Sequence, residues 1–529
     1  MTDDEVRRQM IARVNVGDLL VRSAARTPRQ TALLDGDRRI TYRALNDWVN
    51  RTAHGLAALG YRRGMALGLM SANSAEFLAA YFACAKLGLV CVPVNLFWRH
   101  QELGYVLGHA RVRGIVVEAA LLEQLAPALA EQPGVQDVIV ITPDNAPALD
   151  GRRVLTFSAV QEGQPETEVE AHVEDGDPIT YLYTSGTTSA PKAVVSSHLA
   201  VYLASLGAAL ETRMTVDDRI TALLPLFHTA QLNALCTPAV AVGATICIQR
   251  GFDAGRLLDL IEAERLTLTF ALPMMYRALV EALEGRGRDV SSLRLAVYAM
   301  APMPAHELRR AMQALGCGFS LMFGQTEMNP LSAYFRPGHQ LSHPGAVGTP
   351  SVNVQVGIMD AEGRAVPEGE TGEIVYRSPQ LLSGYLDDPA ATEAAFAGGW
   401  FHSGDAGHFD GDGVLWFEDR FKDIIKTGGE NVASIEVEKA IYAADSRVQE
   451  VAVIGLPHAR WGEAVTAVVV PKPGAEIDEA ALQAQLRAHL SPFKCPKRVI
   501  FTEAMPKTAT GKVQKAKLRR EMAGTYSSG

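Results

Sequence analysis

The sequence predicts an α/β protein. Strand-like apolar runs at 66–70, 114–117 and 138–141 alternate with segments whose apolar residues recur at helical spacing, the pattern of a layered sheet flanked by helices. The chain has 529 residues, of which 48% are apolar, enough for several cores and therefore for a soluble enzyme of more than one lobe. A net charge of −9 argues against a general nucleic-acid binder.

Residues 31–42 alternate apolar and polar around Asp35 and Gly36, which predicts a hairpin leading into a helix that starts near Thr41. That helix places Leu45, Val49, Leu56 and Leu59 on one face and stops at Gly60. The next opens on Asn73 and Glu76 as a capping pair and ends at Gly88. After an apolar strand at 179–183 and the polar turn that follows it, Ser197 caps a helix running to about Leu210. The positive end of that helix is expected beside the turn. The apolar stretch 223–248 contains His228, Gln231, Asn233 and Pro238, and reads as a buried segment, not a membrane span. Strand runs at 244–248, 267–272, 295–298 and 319–323 continue a large lobe. From Phe421 onward the elements shorten to helix, strand, strand, helix, strand and helix, about a hundred residues and the scale of one domain.

The N-terminus carries acids where a secretory signal needs basic residues, and no apolar core follows it, so a cytoplasmic location is expected. Cys84, Cys91, Cys236, Cys247, Cys317 and Cys495 are scattered without a Cys-x-x-Cys pair, which supports neither a zinc site nor a disulfide framework and fits a reducing compartment. Between Lys494 and Arg520 the chain is strongly basic, with Lys515 to Arg520 reading as a solvated helix face. Such a lobe would also attract polyanions.

The turn after the strand at 179–183 holds the chemistry. Thr184, Ser185, Gly186, Thr187, Thr188, Ser189, Ala190, Pro191 and Lys192 offer hydroxyls, backbone N–H groups and one ammonium to a small polyanion, and phosphate is the natural candidate. The order of a Walker loop is missing.

This turn resembles the phosphate-binding signature of the adenylate-forming superfamily, which includes acyl- and aryl-CoA synthetases, carrier-protein adenylation domains and beetle luciferases. Matching motifs follow in the family's order: Pro225-Leu-Phe-His228, Phe323-Gly-Gln-Thr-Glu327, His402-Ser-Gly-Asp405, Asp419-Arg-Phe-Lys-Asp423, Gly428-Gly-Glu-Asn431 and Pro506-Lys-Thr-Ala-Thr-Gly-Lys512. Together they cover essentially the whole chain. The resemblance implies a large multi-layered N-terminal lobe, residues 1–420, and a smaller mobile α+β C-terminal lobe, residues 421–529. It also implies an ATP- and Mg²⁺-dependent acyl- or aryl-CoA ligase that forms an acyl-AMP, releases pyrophosphate and transfers the acyl group to CoA.

By the same resemblance, Thr184, Ser185, Gly186, Thr187, Thr188 and Lys192 grip the β- and γ-phosphates, and Thr326 touches the α-phosphate. Glu327, with Thr184, holds Mg²⁺, a hard cation suited to oxygen ligands. Asp405 and Arg420 bind the ribose, while Ala301, Pro302, Phe323, Gly324 and Gln325 complete the nucleotide site. His228 and Met300 border the acyl pocket. Lys512 bridges substrate carboxylate and α-phosphate during adenylation, and Lys422 is the hinge on which the small lobe swings between half-reactions. Gly428 and Gly429 then line a pantetheine tunnel, while Trp461, Phe493 and Lys497 resemble the CoA-contacting segments of chlorobenzoate-type and medium-chain ligases.

Three departures stand out. Ser189 and Ala193 replace common glycines, and a left-handed conformation there would cost roughly 1–2 kcal/mol per residue bearing a Cβ. Phe323 replaces a frequent Tyr, and Ala299 and Met300 replace a Gly-Gly pair. Other readings stay open on the residues alone: loading of a carrier-protein thiol, specialisation for one half-reaction, and a nucleotide-binding regulator without turnover. Fatty, aromatic and polycyclic acids all suit an apolar pocket.

Overall fold

The N-terminal hairpin forms as the sequence predicts. Strands Thr31–Asp35 and Arg38–Thr41 pair antiparallel across Gly36, whose φ of 58° favours a residue without a Cβ. Thr41 then caps helix Tyr42–Ala58, accepting from the Ala44 N–H at 3.3 Å, and Leu45, Val49 and Leu56 are buried. Helix Ala75–Leu87 closes on Gly88 in the left-handed region. Its cap is Ser74 and not Asn73, since Ser74 Oγ accepts from the Phe77 N–H at 3.1 Å. Asn73 is buried instead. Its amide donates to the carbonyls of Ala222, Leu224 and Gln249, each at 3.0 Å, and its Oδ1 accepts from the Leu226 N–H at 2.9 Å. Glu76 is likewise diverted, into an ion pair with Arg38.

The computed structural model describes residues 2–142, 148–149, 151–184, 191–285, 287–300, 303–507 and 513–526. By compactness the chain divides into a unit of residues 1–356 with 377–397 and a second of residues 357–376 with 398–529.

In the first unit, among the described residues, one sheet has nine strands and another eight. Helix Ala75–Leu87 is buried at every position except Glu76. It shares a core with Leu67, Leu69 and Cys91 of the eight-stranded sheet and with Ile220, Ile246 and Phe270 of the nine-stranded one. A helix covered on both sides is apolar over nearly all its surface, and the buried charge of this one, Lys86, donates to Asn46, Asn50 and Glu168. In the nine-stranded sheet, Arg219–Ala222, Thr245–Ile248, Leu268–Ala271, Leu295–Tyr298 and Gly318–Gly324 run parallel, so their carboxyl ends share one edge. The stretch 223–248 is buried within this unit and includes a π-helical turn, Leu232–Cys236. Among the described residues no helix is long and apolar enough to cross a membrane. The six cysteines are free and buried.

The second unit holds strands Gly372–Arg377, Phe401–Phe409 and Leu415–Arg420 in one sheet. After Phe421 come the expected helix, strand, strand, helix, strand and helix, preceded by a hairpin of Ile425–Thr427 and Glu430–Val432. Its three-residue strands are too short to show a period in the sequence. The basic run is a solvated face only in part: Lys517 and Arg520 are exposed, while other members are paired. Lys494, Lys507, Lys515 and Arg519 pair with Glu436, Glu450, Glu438 and Asp423 at 2.7, 2.6, 2.7 and 2.8 Å. Each partner lies far off in sequence, which is why the run reads as one-sided.

Candidate active site

The polar segment 184–192 is flanked by an antiparallel pair. Strands Pro178–Thr184 and Lys192–Ser197 align Thr184 with Lys192 at one end and Pro178 with Ser197 at the other. Ser185, Gly186, Thr187, Thr188 and Ser189 lie outside the described residues, as do Ala301, Pro302 and Lys512. Helix His198–Glu211 is capped by Ser197, as expected, yet its N-terminus lies at the far end of the strand. Five strand steps separate it from Lys192, about 17 Å, so its dipole does not act on the turn. Ala193 is also placed differently from the expectation. It is a buried strand residue paired with Tyr183, where a Cβ carries no left-handed strain.

The other edge of strand Lys192–Ser197 pairs with the two-residue strand Gly384–Tyr385, Tyr385 lying opposite Val194. The Lys192 ammonium sits 5.1 Å from the Tyr385 ring centroid and 3.7 Å from Asp388. The Tyr385 hydroxyl donates to Glu327 Oε1 at 3.1 Å. Glu327 stands on the 3₁₀ turn Thr326–Met328, just beyond strand Gly318–Gly324, and the Leu382 N–H donates to its carbonyl at 2.8 Å. Gly324 admits no side chain: a Cβ there would lie 1.8 Å from the Pro330 carbonyl oxygen. Phe323 is half-buried, and Gln325 Nε2 is buried without a partner among the described residues. The geometry thus brings together Thr184, Lys192, Thr326 and Glu327. Tyr385 and Asp388 were not legible as site residues, because a two-residue strand leaves no period and Glu327 is 58 positions away.

His228 and Met300 follow the carboxyl ends of strands in the same parallel set, the edge where ligands gather in such sheets. Neither is hydrogen-bonded to Glu327 among the described residues. His228 Nε2 is buried without a partner, and burial holds the imidazole down to about 4, hence neutral near pH 7. Met300 is 42% exposed with φ 70°, a left-handed conformation that a non-glycine residue adopts only under strain.

In the second unit, Asp405 and Arg420 are register partners on adjacent strands, with Arg420 Nε 3.1 Å from Asp405 Oδ1. Gly404, at φ 71°, turns the chain into that pair. Lys422 is exposed in a turn closed by the Asp423 N–H donating to the Arg420 carbonyl at 2.7 Å. On either side of it, Asp419 Oδ2 accepts from the Ser434 N–H and Oγ at 2.6 and 2.5 Å, and Asp423 holds Arg519.

Gly428 and Gly429 form the two-residue turn of the short hairpin, both with positive φ, the requirement of a type I′ turn. The Gly428 N–H donates to the Trp461 carbonyl at 2.8 Å. Lys497 Nζ and Arg460 Cζ lie 5.1 and 5.6 Å from the Trp461 ring, and the His458 ring lies tilted against it with centroids 4.3 Å apart. Gly428, Trp461 and Lys497 are therefore neighbours, joined by Arg460 and His458, which sequence reasoning missed. Phe493 packs at the margin of the core around Val465 and Leu486, with Lys494 Nζ 5.9 Å from its ring.

Residues 20–386 match the family model of AMP-binding enzymes, and residues 436–512 match that of the AMP-binding enzyme C-terminal domain. A feruloyl-CoA synthase from Amycolatopsis is 36% identical over 509 residues, covering 96% of this chain and 98% of that protein. The indoleacetate–CoA ligase of Aromatoleum aromaticum is 32% identical over 511 residues, covering 96% and 98%. Among solved structures, the anthranilate CoA ligase AuaEII in complex with anthranoyl-AMP superposes with a TM-score of 0.88 at 29% identity, covering 98% of this chain and 99% of that one. The chain belongs to the AMP-binding enzyme family, in its branch of AMP-forming acyl- and aryl-CoA ligases.

Proposed function

We propose that this protein joins an aromatic carboxylic acid to CoA in two steps at the site just described. The carboxylate attacks the α-phosphorus of ATP, forming an acyl-AMP as the bond to the bridging oxygen breaks and pyrophosphate leaves. The CoA sulfur then attacks the acyl carbon, AMP departs with the electron pair of the C–O bond, and the thiol proton is released.

The observation that carries this reading is the pairing of Thr184 with Lys192 at the ends of the polar segment 184–192, with Glu327 joined to Lys192 through one shared tyrosine. Two anions must be brought together in the first step, so cations and fixed donors matter more than a general base. Thr184, Ser185, Gly186, Thr187, Thr188 and Lys192 are assigned to the β- and γ-phosphates, Thr326 to the α-phosphate, and Asp405 with Arg420 to the ribose. Ala301, Pro302, Phe323, Gly324 and Gln325 surround the base. The carboxylate of Glu327 and the hydroxyl of Thr184 are hard oxygen donors and fit Mg²⁺, which when bound offsets phosphate charge. Neutral His228, with Met300, borders the acyl group. Lys512 bridges carboxylate and α-phosphate. Residues 421–529 pivot at Lys422 relative to residues 1–420, and Gly428, Gly429, Trp461, Phe493 and Lys497 then receive CoA. The reaction is assigned to the cytoplasm, where ATP and CoA are at hand.

The aromatic preference rests on relatives named for feruloyl, indoleacetate and anthranilate substrates. It is tested by measuring CoA-thioester formation, by mass, across aromatic and aliphatic acids, with CoA or a holo-carrier protein as acceptor. The proposal expects aryl acids and free CoA to give the highest kcat/KM. A best turnover with fatty acids, or with the carrier protein, contradicts it.

A further inference from the structure

The phosphate lysine and the metal carboxylate meet on one tyrosine to which the reaction assigns no part. The Tyr385 hydroxyl bonds Glu327 at 3.1 Å, while the face of its ring lies 5.1 Å from the Lys192 ammonium. Its placement is built from both sides. The strand Gly384–Tyr385 is paired to Val194 and Val195, two and three residues beyond Lys192. The Tyr385 N–H donates to Thr392 Oγ1 at 2.9 Å, and the neighbouring Leu382 N–H holds the Glu327 backbone at 2.8 Å.

A phenol suits both neighbours for distinct reasons. It fixes the rotamer of a carboxylate without neutralising it, so the remaining oxygen keeps its charge for a cation. This is what outer-shell donors do for metal ligands. Its ring attracts an ammonium without supplying an anion that would compete with phosphate. A competing anion, Asp388, is 3.7 Å from Lys192, and both side chains are partly exposed, so that pair is weak.

We infer that Tyr385 is a positioning residue for adenylation: its hydroxyl aims Glu327 at the metal that accompanies ATP, and its ring holds Lys192 within reach of the triphosphate. The inference rests on the assignments of Glu327 and Lys192 made above.

Calorimetric titration of the full-length protein with ATP, once with Mg²⁺ and once in EDTA, separates the two halves of this role. Tyr385→Phe removes the hydroxyl and keeps the ring. It should bind ATP roughly tenfold more weakly in Mg²⁺, the lower range for loss of an outer-shell partner, and close to wild type in EDTA. Tyr385→Leu should weaken binding in EDTA as well, by about two- to fivefold, since the cation–π contact goes too. Each comparison is internal to one variant, so a general loosening of the fold lowers both affinities and does not imitate the split. Equal loss with and without metal in Tyr385→Phe, or no loss in either, overturns the inference. Glu327→Gln decides what falls with it. If that variant loses affinity only in Mg²⁺, the metal assignment stands and Tyr385 alone is wrong; if it shows no metal-selective loss, the assignment of Glu327 fails and the inference with it.

Discussion

Met300 holds a left-handed backbone, φ 70°, two residues beyond strand Leu295–Tyr298 at the carboxyl edge of the parallel strands. Replacing it with glycine relieves roughly 1–2 kcal/mol of backbone strain, and the greater freedom of the unfolded chain takes back about 0.4–1 kcal/mol. Met300→Gly should therefore stabilise the fold by between zero and about 1.6 kcal/mol while widening the proposed acyl pocket. Bulkier acids should gain, and the preferred acid should lose about 1–3 kcal/mol of transition-state binding, read as relative kcat/KM. An unchanged ranking of acids places this side chain outside the pocket. A second residue-scale effect is a pH dependence. His198 is fully buried, accepts from the Val16 N–H at 3.2 Å through Nδ1, and burial lowers its pKa to about 3. His228 is held near 4. Both sit below the unfolded value near 6.5, so the unfolded chain binds protons that the folded chain refuses. Their contribution is complete above about pH 6.5 and is lost as pH falls toward 4, at up to ~1.4 kcal/mol per pH unit for each group. His198→Asn, which retains an acceptor for Val16, should flatten the fall in denaturation free energy between pH 6.5 and 4.5. A slope identical to wild type contradicts this origin.

At the scale of elements, what was legible depended on how local the cause is. Gly36, Thr41 and Gly88 act within a few residues, and the hairpin and helices they bound form where the sequence puts them. Asn73 resembles a cap as much as Ser74 does. Only its bonds to Ala222, Leu224 and Gln249 show why it is diverted, and these lie 149 to 176 positions away. The helix after Ser197 was legible, but not its distance from the phosphate turn, because the intervening strand reads as part of the loop. The proposed hinge belongs to this scale. Proline at 422 would occupy the third position of the turn closed by Asp423 and Arg420, where it disfavours the helical conformation of the residue before it. Lys422→Pro should therefore stop the pivot, so that acyl-AMP forms and accumulates without CoA ester, measured by rapid-quench chromatography. Normal thioester turnover moves the pivot elsewhere.

At the scale of the whole molecule, the motifs carried more than composition did. Length and apolar content allow several lobes but name no chemistry, whereas the ordered motifs from Thr184 to Lys512 imply one reaction throughout. Compactness alone groups residues 357–376 and 398–420 with the C-terminal segment, while the proposed moving bodies meet at 420 and 421. The two divisions answer different questions, one about packing and one about motion. The central claim is that one chain performs two half-reactions with different residues, and its most direct test measures them separately in the wild type and in Lys512→Ala. The wild type should exchange pyrophosphate into ATP with an accepted acid and convert supplied acyl-AMP to a CoA ester. Lys512→Ala should lose at least ~10²–10³-fold in the exchange, the loss typical of removing a preorganised donor, and still make the ester from acyl-AMP. Equal loss of both steps in Lys512→Ala, or a wild type that esterifies the adenylate yet never exchanges pyrophosphate, would contradict it.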